Sequence, residues 1–141
     1  MGELRISTST DQDGDTTFDI VISQGTVQTH VCFWGETSLF QQFGQELTAF
    51  PKSISDGVEI EIGQIGLGSY QNYLLLRAYC YDANGHSALK IVTHNNEAEP
   101  QTQRIEFSIP AEAAALNRLG NQLKSWEPAV TPELAWKAQT S

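Results

Sequence analysis

Apolar and polar positions alternate along much of this chain. Phe18, Ile20 and Ile22 alternate with Asp19, Val21 and Ser23; Val58, Ile60 and Ile62 with Glu59 and Glu61; Ile105, Phe107 and Ile109 with Glu106 and Ser108. Period two with one polar face predicts half-buried antiparallel strands. Leu4 and Ile6 around Arg5 predict a short first strand. Residues 26–33 predict another, joined to the Phe18 strand by a tight turn at Gln24-Gly25. Asp82-Ala83-Asn84-Gly85-His86 carries the Asn-Gly pair favoured in two-residue hairpins, where both central residues need φ > 0. With Asn84-Gly85 as the loop, Cys80 opposes Leu89, Ala78 opposes Ile91 and Leu76 opposes Thr93 on an inward face. Tyr73, Leu75, Arg77, Tyr79 and Tyr81 then point outward together, joined by Val92 and His94.

Two segments change period. In residues 36–50, Phe40, Phe43, Leu47 and Phe50 recur at steps of three and four; in residues 111–126, Leu116, Leu119, Leu123 and Trp126 do the same. Each is a single apolar stripe on a helical period. Pro51 and Pro128 follow them, and Pro110 with Glu112 suits the first turn of the second. A shift of 76 residues superposes Val31 on Phe107, Phe40 on Leu116, Phe43 on Leu119, Gly44 on Gly120 and Leu47 on Leu123. A mid-helix glycine costs about 1 kcal/mol against alanine. Two at equivalent places predict close backbone approach, helix to helix or helix to sheet.

These elements predict one α+β domain over residues 1–126, in the order βββα–ββββα. It has a mainly antiparallel sheet of about seven strands with two helices on one face. The expected core is Phe18, Ile20, Val31, Phe33, Phe40, Phe43, Leu47, Ile60, Leu76, Ile91, Phe107, Leu119 and Leu123. Residues 127–141 form a tail in which Thr131-Pro132-Glu133 caps a short turn of helix, and which docks through Trp136 or frays.

Length and charge narrow the function. The 141 residues are 40% hydrophobic and carry a net charge of −9. That balance argues against a nucleic-acid binder held by phosphate contacts. No apolar run approaches the ~18–20 residues of a membrane span, and Met-Gly-Glu-Leu-Arg, which lacks an apolar run, leads to the expectation of no signal peptide. Two cysteines, Cys32 and Cys80, make no disulfide framework, so a cytoplasmic location is expected. Residues 1–70 hold ten acids and two bases, against seven and six in the rest. A field of one sign steers cationic partners.

Candidate chemistry is sparse. Asp11, Asp13, Asp15 and Asp19 resemble the start of a calcium loop, but Thr16 and Ile22 stand where that loop needs glycine and glutamate. His30 and Cys32 share a strand face, with no spacing typical of a zinc site. Gly63, Gly66 and Gly68 lack the lysine of a phosphate-binding loop. Neither a metal nor a cofactor is expected, and no catalytic group is assigned. An enzyme would need a cleft gathering His30, His94 and an acid. The binding candidates are the outward Arg77, Tyr79, Tyr81 and His94, of types enriched at interfaces, and the acids Asp13, Asp15, Glu59 and Glu61.

The order of strands, then Phe40-x-x-Phe43-Gly44-x-x-Leu47-x-x-Phe50, leads into a meander through residues 74–78 and 89–92. Ile105-x-Phe107-x-Ile109 and Leu116-x-x-Leu119-Gly120-x-x-Leu123 follow. Over most of residues 15–126 this resembles WapI-type bacterial immunity proteins and related uncharacterised small bacterial families. The resemblance implies a non-enzymatic protein that binds and blocks a toxin. The acids would meet a basic surface; the tyrosine face would supply central anchors or a homodimer contact. The alternative is a small-ligand or carbohydrate module using the same tyrosines.

Overall fold

Alternation becomes strand throughout the computed structural model, which describes residues 2–66 and 71–138. The order is β1 (Gly2–Thr10), β2 (Thr16–Gln24), β3 (Val27–Gly35), α1 (Gln41–Leu47), β4 (Gly57–Ile62), β5 (Tyr73–Cys80), β6 (Ser87–His94), β7 (Arg104–Pro110), α2 (Ala113–Lys124) and β8 (Glu133–Lys137). The class is α+β, and every strand pair is antiparallel. The strands divide into two sheets of four, ordered β3-β2-β1-β8 and β4-β5-β6-β7.

That order encodes an exchange. Strands β1, β2 and β3 form a meander, α1 follows, and β4 leaves to pair with β5. Strands β5, β6 and β7 form the second meander, α2 follows, and β8 returns to pair with β1. The chain is thus two βββαβ units, each lending its last strand to the other's sheet. The 76-residue shift that superposes Phe43 on Leu119 also carries Val58 onto Leu134 and Ile60 onto Trp136, so it extends through β4 and β8.

The two glycines mark the centre. A Cβ on Gly44 would lie 2.5 Å from the Lys124 backbone N, and one on Gly120 would lie 2.7 Å from Leu47 Cβ and 2.8 Å from the Gly44 carbonyl. The close approach is helix to helix. One buried cluster draws on both sheets and both helices, from Leu4, Phe18 and Ile20 through Phe43 and Leu119 to Leu76 and Ile91. Buried Thr29 of β3 and Thr93 of β6 join across the sheets through their hydroxyls at 2.6 Å. Ile60 and Phe107 are half-buried at its margin rather than inside it.

Several local expectations change. The hairpin between β5 and β6 has a four-residue loop: Tyr81 N–H donates to the His86 carbonyl at 2.8 Å and Gly85 N–H to the Asp82 carbonyl at 3.2 Å. Leu76 therefore opposes Ile91, Ala78 opposes Leu89 and Cys80 opposes Ser87. The shift is by two residues, so each side chain keeps its predicted face. The Asp82 carboxylate fixes this longer loop by accepting the Asn84 and His86 N–H groups, both at 3.0 Å. Helix α1 is shorter than its stripe because tight turns close both ends, Leu39 N–H to the Glu36 carbonyl and Phe50 N–H to the Leu47 carbonyl. Pro110 ends β7 instead of opening α2, since Ala111 N–H still bonds the Ser87 carbonyl. The tail is strand, not helix: β8 docks with Trp136 only 1% exposed, its indole N–H donating to the Ala115 carbonyl at 2.9 Å. Among the described residues, no helix is long and apolar enough to cross a membrane.

Candidate functional site

Each sheet turns one face inward and one outward. On the outward face of the β4-β5-β6-β7 sheet, cross-strand register puts Glu59 beside Arg77, Lys90 and Ser108, and Glu61 beside Leu75, Val92 and Glu106. The sequence separates the Glu59 and Glu61 acids from the tyrosines, but the fold unites them. Arg77 donates to Glu59 at 2.6 Å, with its guanidinium against bare Gly57. The Tyr73 hydroxyl donates to Glu61 at 2.6 Å, and the Tyr79 and Ser108 hydroxyls lie 3.1 Å apart. Lys90 and Arg104 both pair with Glu106, at 3.6 and 3.4 Å. Tyr73 is 7% exposed, and burial, followed by the Glu61 hydrogen bond, pushes its phenol up to about 12. This face is a lattice whose charges already answer one another.

The other candidates lie away from it. Tyr81 stands past the end of β5, 54% exposed, stacked on the His86 ring at 6.1 Å between centroids. His86 in turn bonds Asp82 at 2.6 Å, which holds that carboxyl below its usual range. His94 faces Tyr73 at the opposite end of the strand pair, about 20 Å from Tyr79 at ~3.3 Å per residue. His94 and His30 line one polar crevice of about 350 Å³ with Gln28, Asn95 and Gln103. His30 is hydrogen-bonded to Asp19, while His94 Nδ1 accepts the Asn96 N–H at 2.8 Å. Cys32 sits opposite Asp19, and partial burial with that carboxylate raises its thiol. Among the described residues, no three His, Cys, Asp or Glu side chains group as a cation site. Of the glycine-rich loop, Gly68 lies outside the described residues.

Asp13 and Asp15 belong to the β1–β2 hairpin, on the other sheet. Asp11 accepts the Asp13 and Asp15 N–H groups at 2.9 and 3.0 Å, as Asp82 does in its own loop. The backbone N–H groups of the turn orient this aspartate. The turn's glycine, Gly14, has φ 89° where Gly85 has 81°. Asp11, Asp13 and Asp15 are exposed, and among the described residues none makes an ion pair. Beside them stands Trp34, 69% exposed on the edge strand β3. It was missed as a candidate. The signal was present: with Val31 and Phe33 inward, alternation sends Trp34 outward with His30 and Cys32. Compared with known protein families, curated proteins and solved structures, the chain matches none.

Proposed function

We propose that this is a non-enzymatic binding protein that occupies a basic surface of a protein partner, in the manner of an immunity protein, through the acidic end of the β3-β2-β1-β8 sheet. One observation carries the proposal: among the described residues, Asp13 and Asp15 are exposed and make no ion pair, while Glu59, Glu61 and Glu106 on the opposite sheet are engaged by Arg77, Tyr73, Lys90 and Arg104. Unanswered charge steers association; charge already paired within the molecule does so weakly. The carbohydrate alternative has less support, because a sugar needs exposed rings and free hydroxyls to meet it. Tyr73 is buried, the Tyr79 hydroxyl is engaged by Ser108, and Tyr81 lies on His86.

The test is co-purification with the product of the neighbouring gene. Asp13→Lys/Asp15→Lys should abolish capture, and Glu59→Lys/Glu61→Lys should leave it in place. Capture lost only in the second variant would move the site to the opposite sheet. Capture unchanged in both would remove both surfaces.

A further inference from the structure

Trp34 forms one wall of a hollow of about 370 Å³ whose other walls are Ser9, Asp11, Asp15, Thr16 and Thr17. Its cross-strand neighbour is Thr17, and Ser9 lies beyond it. Short polar side chains therefore leave the indole uncovered. A tryptophan 69% exposed on a strand makes little contribution to the core, and the internal symmetry shows that the fold does not require it. The 76-residue shift places Pro110 at the same corner of the second unit, beside the equivalent Asp-x-Asn-Gly hairpin. Proline stands in the tryptophan's place there.

We infer that this hollow takes an arginine side chain of the protein partner. The indole offers the most favourable aromatic face for a cation. The exposed carboxylates of Asp11 and Asp15, which make no ion pair among the described residues, line the same hollow. A planar guanidinium satisfies both walls at once, stacking on the ring while donating in a fork to a carboxylate; an ammonium cannot stack in that way. The inference rests on the binding proposal above and names the chemistry by which that acidic end selects its partner.

Trp126 is 6% and Trp136 1% exposed, so the exposed indole among the three tryptophans is that of Trp34. Its emission reports on the hollow in the intact protein. The probes are a blocked Gly-Arg-Gly-Arg-Gly peptide and its lysine and citrulline counterparts, titrated at low ionic strength. The arginine peptide should quench emission saturably, the lysine peptide should bind about fivefold more weakly, and citrulline should not bind. By calorimetry, Trp34→Ala and Asp15→Asn, shown to melt like the wild type, should each weaken the arginine peptide about fivefold or more. Equal binding of arginine and citrulline, or undiminished binding to both variants, overturns the inference. Partner capture that depends on Asp13 and Asp15 but not on Trp34 would overturn the hollow alone. Arginine binding without partner capture would overturn the functional proposal alone.

Discussion

Gln41 and Asn117 do the same task for opposite helices. The Gln41 amide, at the start of α1, donates to the Trp126 carbonyl at 2.6 Å beyond the end of α2. The Asn117 amide, in α2, donates to the Leu47 carbonyl at the last residue of α1, at 2.8 Å, and to the Phe50 carbonyl beyond it, at 2.7 Å. The 76-residue shift carries Gln41 onto Asn117 and Phe50 onto Trp126. Helix ends leave carbonyls without intrahelical partners, and here each helix supplies the other's missing donor.

Asn117→Ala should therefore destabilise the fold by about 1–3 kcal/mol, because two part-buried carbonyls lose one donor. Gln41→Ala, which removes the bond to Trp126 and a local one to the Thr37 carbonyl at 3.0 Å, should cost a comparable amount. Urea denaturation of both single variants and the double variant measures this. A double variant no worse than Asn117→Ala alone would show that the two contacts do not brace the helices independently.

Alanine should be harmful at Gly44 and Gly120, although it normally favours a helix by about 1 kcal/mol. The added methyl at Gly44 would meet backbone at 2.5 Å, and at Gly120 backbone at 2.8 Å. Backbone cannot swing aside as a side-chain tip can. Each substitution should cost about 1–3 kcal/mol or more, read as a fall in melting temperature. A neutral or stabilised Gly44→Ala would mean that the helices do not meet at this crossing.

Much of this fold was legible because side-chain period is a local property. The alternation in β2 and β5 and the stripe from Phe40 to Leu47 each lie within a few residues of sequence, and the paired glycines were found by repeating one such stripe 76 residues on. The strand exchange was not legible. Nothing in Leu134-Ala135-Trp136 states that this short segment pairs with Arg5 and Ile6 across the whole chain. The hairpin register was lost for a different reason: Asn84-Gly85 suits a two-residue loop, but the Asp82 carboxylate organises a longer one. Of the candidate site, the acids were visible in composition. Which of them are already paired depends on the assignment of β4 to the second sheet, and so emerged only in three dimensions.

The edge of β3 depends on two side chains from the segment before β5. Asn72 accepts the Cys32 N–H at 2.9 Å and Gln71 the Trp34 N–H at 2.5 Å. Exposed edges invite pairing with other chains. The β8 edge is covered in the same spirit, with Gln122 donating to the Ala135 carbonyl at 3.0 Å and Arg118 bonding the Lys137 carbonyl. Gln71→Ala/Asn72→Ala should promote self-association at concentrations where the wild type stays unassociated, measured by light scattering. An unchanged scattering profile would show that this edge needs no cover.

Tyr73 tests whether the sheet face around Glu61 is closed on itself. Its phenol is pushed up to about 12, first by burial and then by the hydrogen bond it donates to Glu61. An unfolded tyrosine titrates near 10. The folded state thus holds the proton more tightly than the unfolded state. Its stabilising contribution is complete below about pH 10 and is lost as pH rises from there towards about 12. Ultraviolet titration of the phenols should show a late-ionising step, and Tyr73→Phe should remove it. The wild type should lose stability in denaturant melts between pH 10 and 12 more steeply than Tyr73→Phe. Equal slopes for the two proteins would mean that the Tyr73–Glu61 contact is open to solvent and that this face is free to bind.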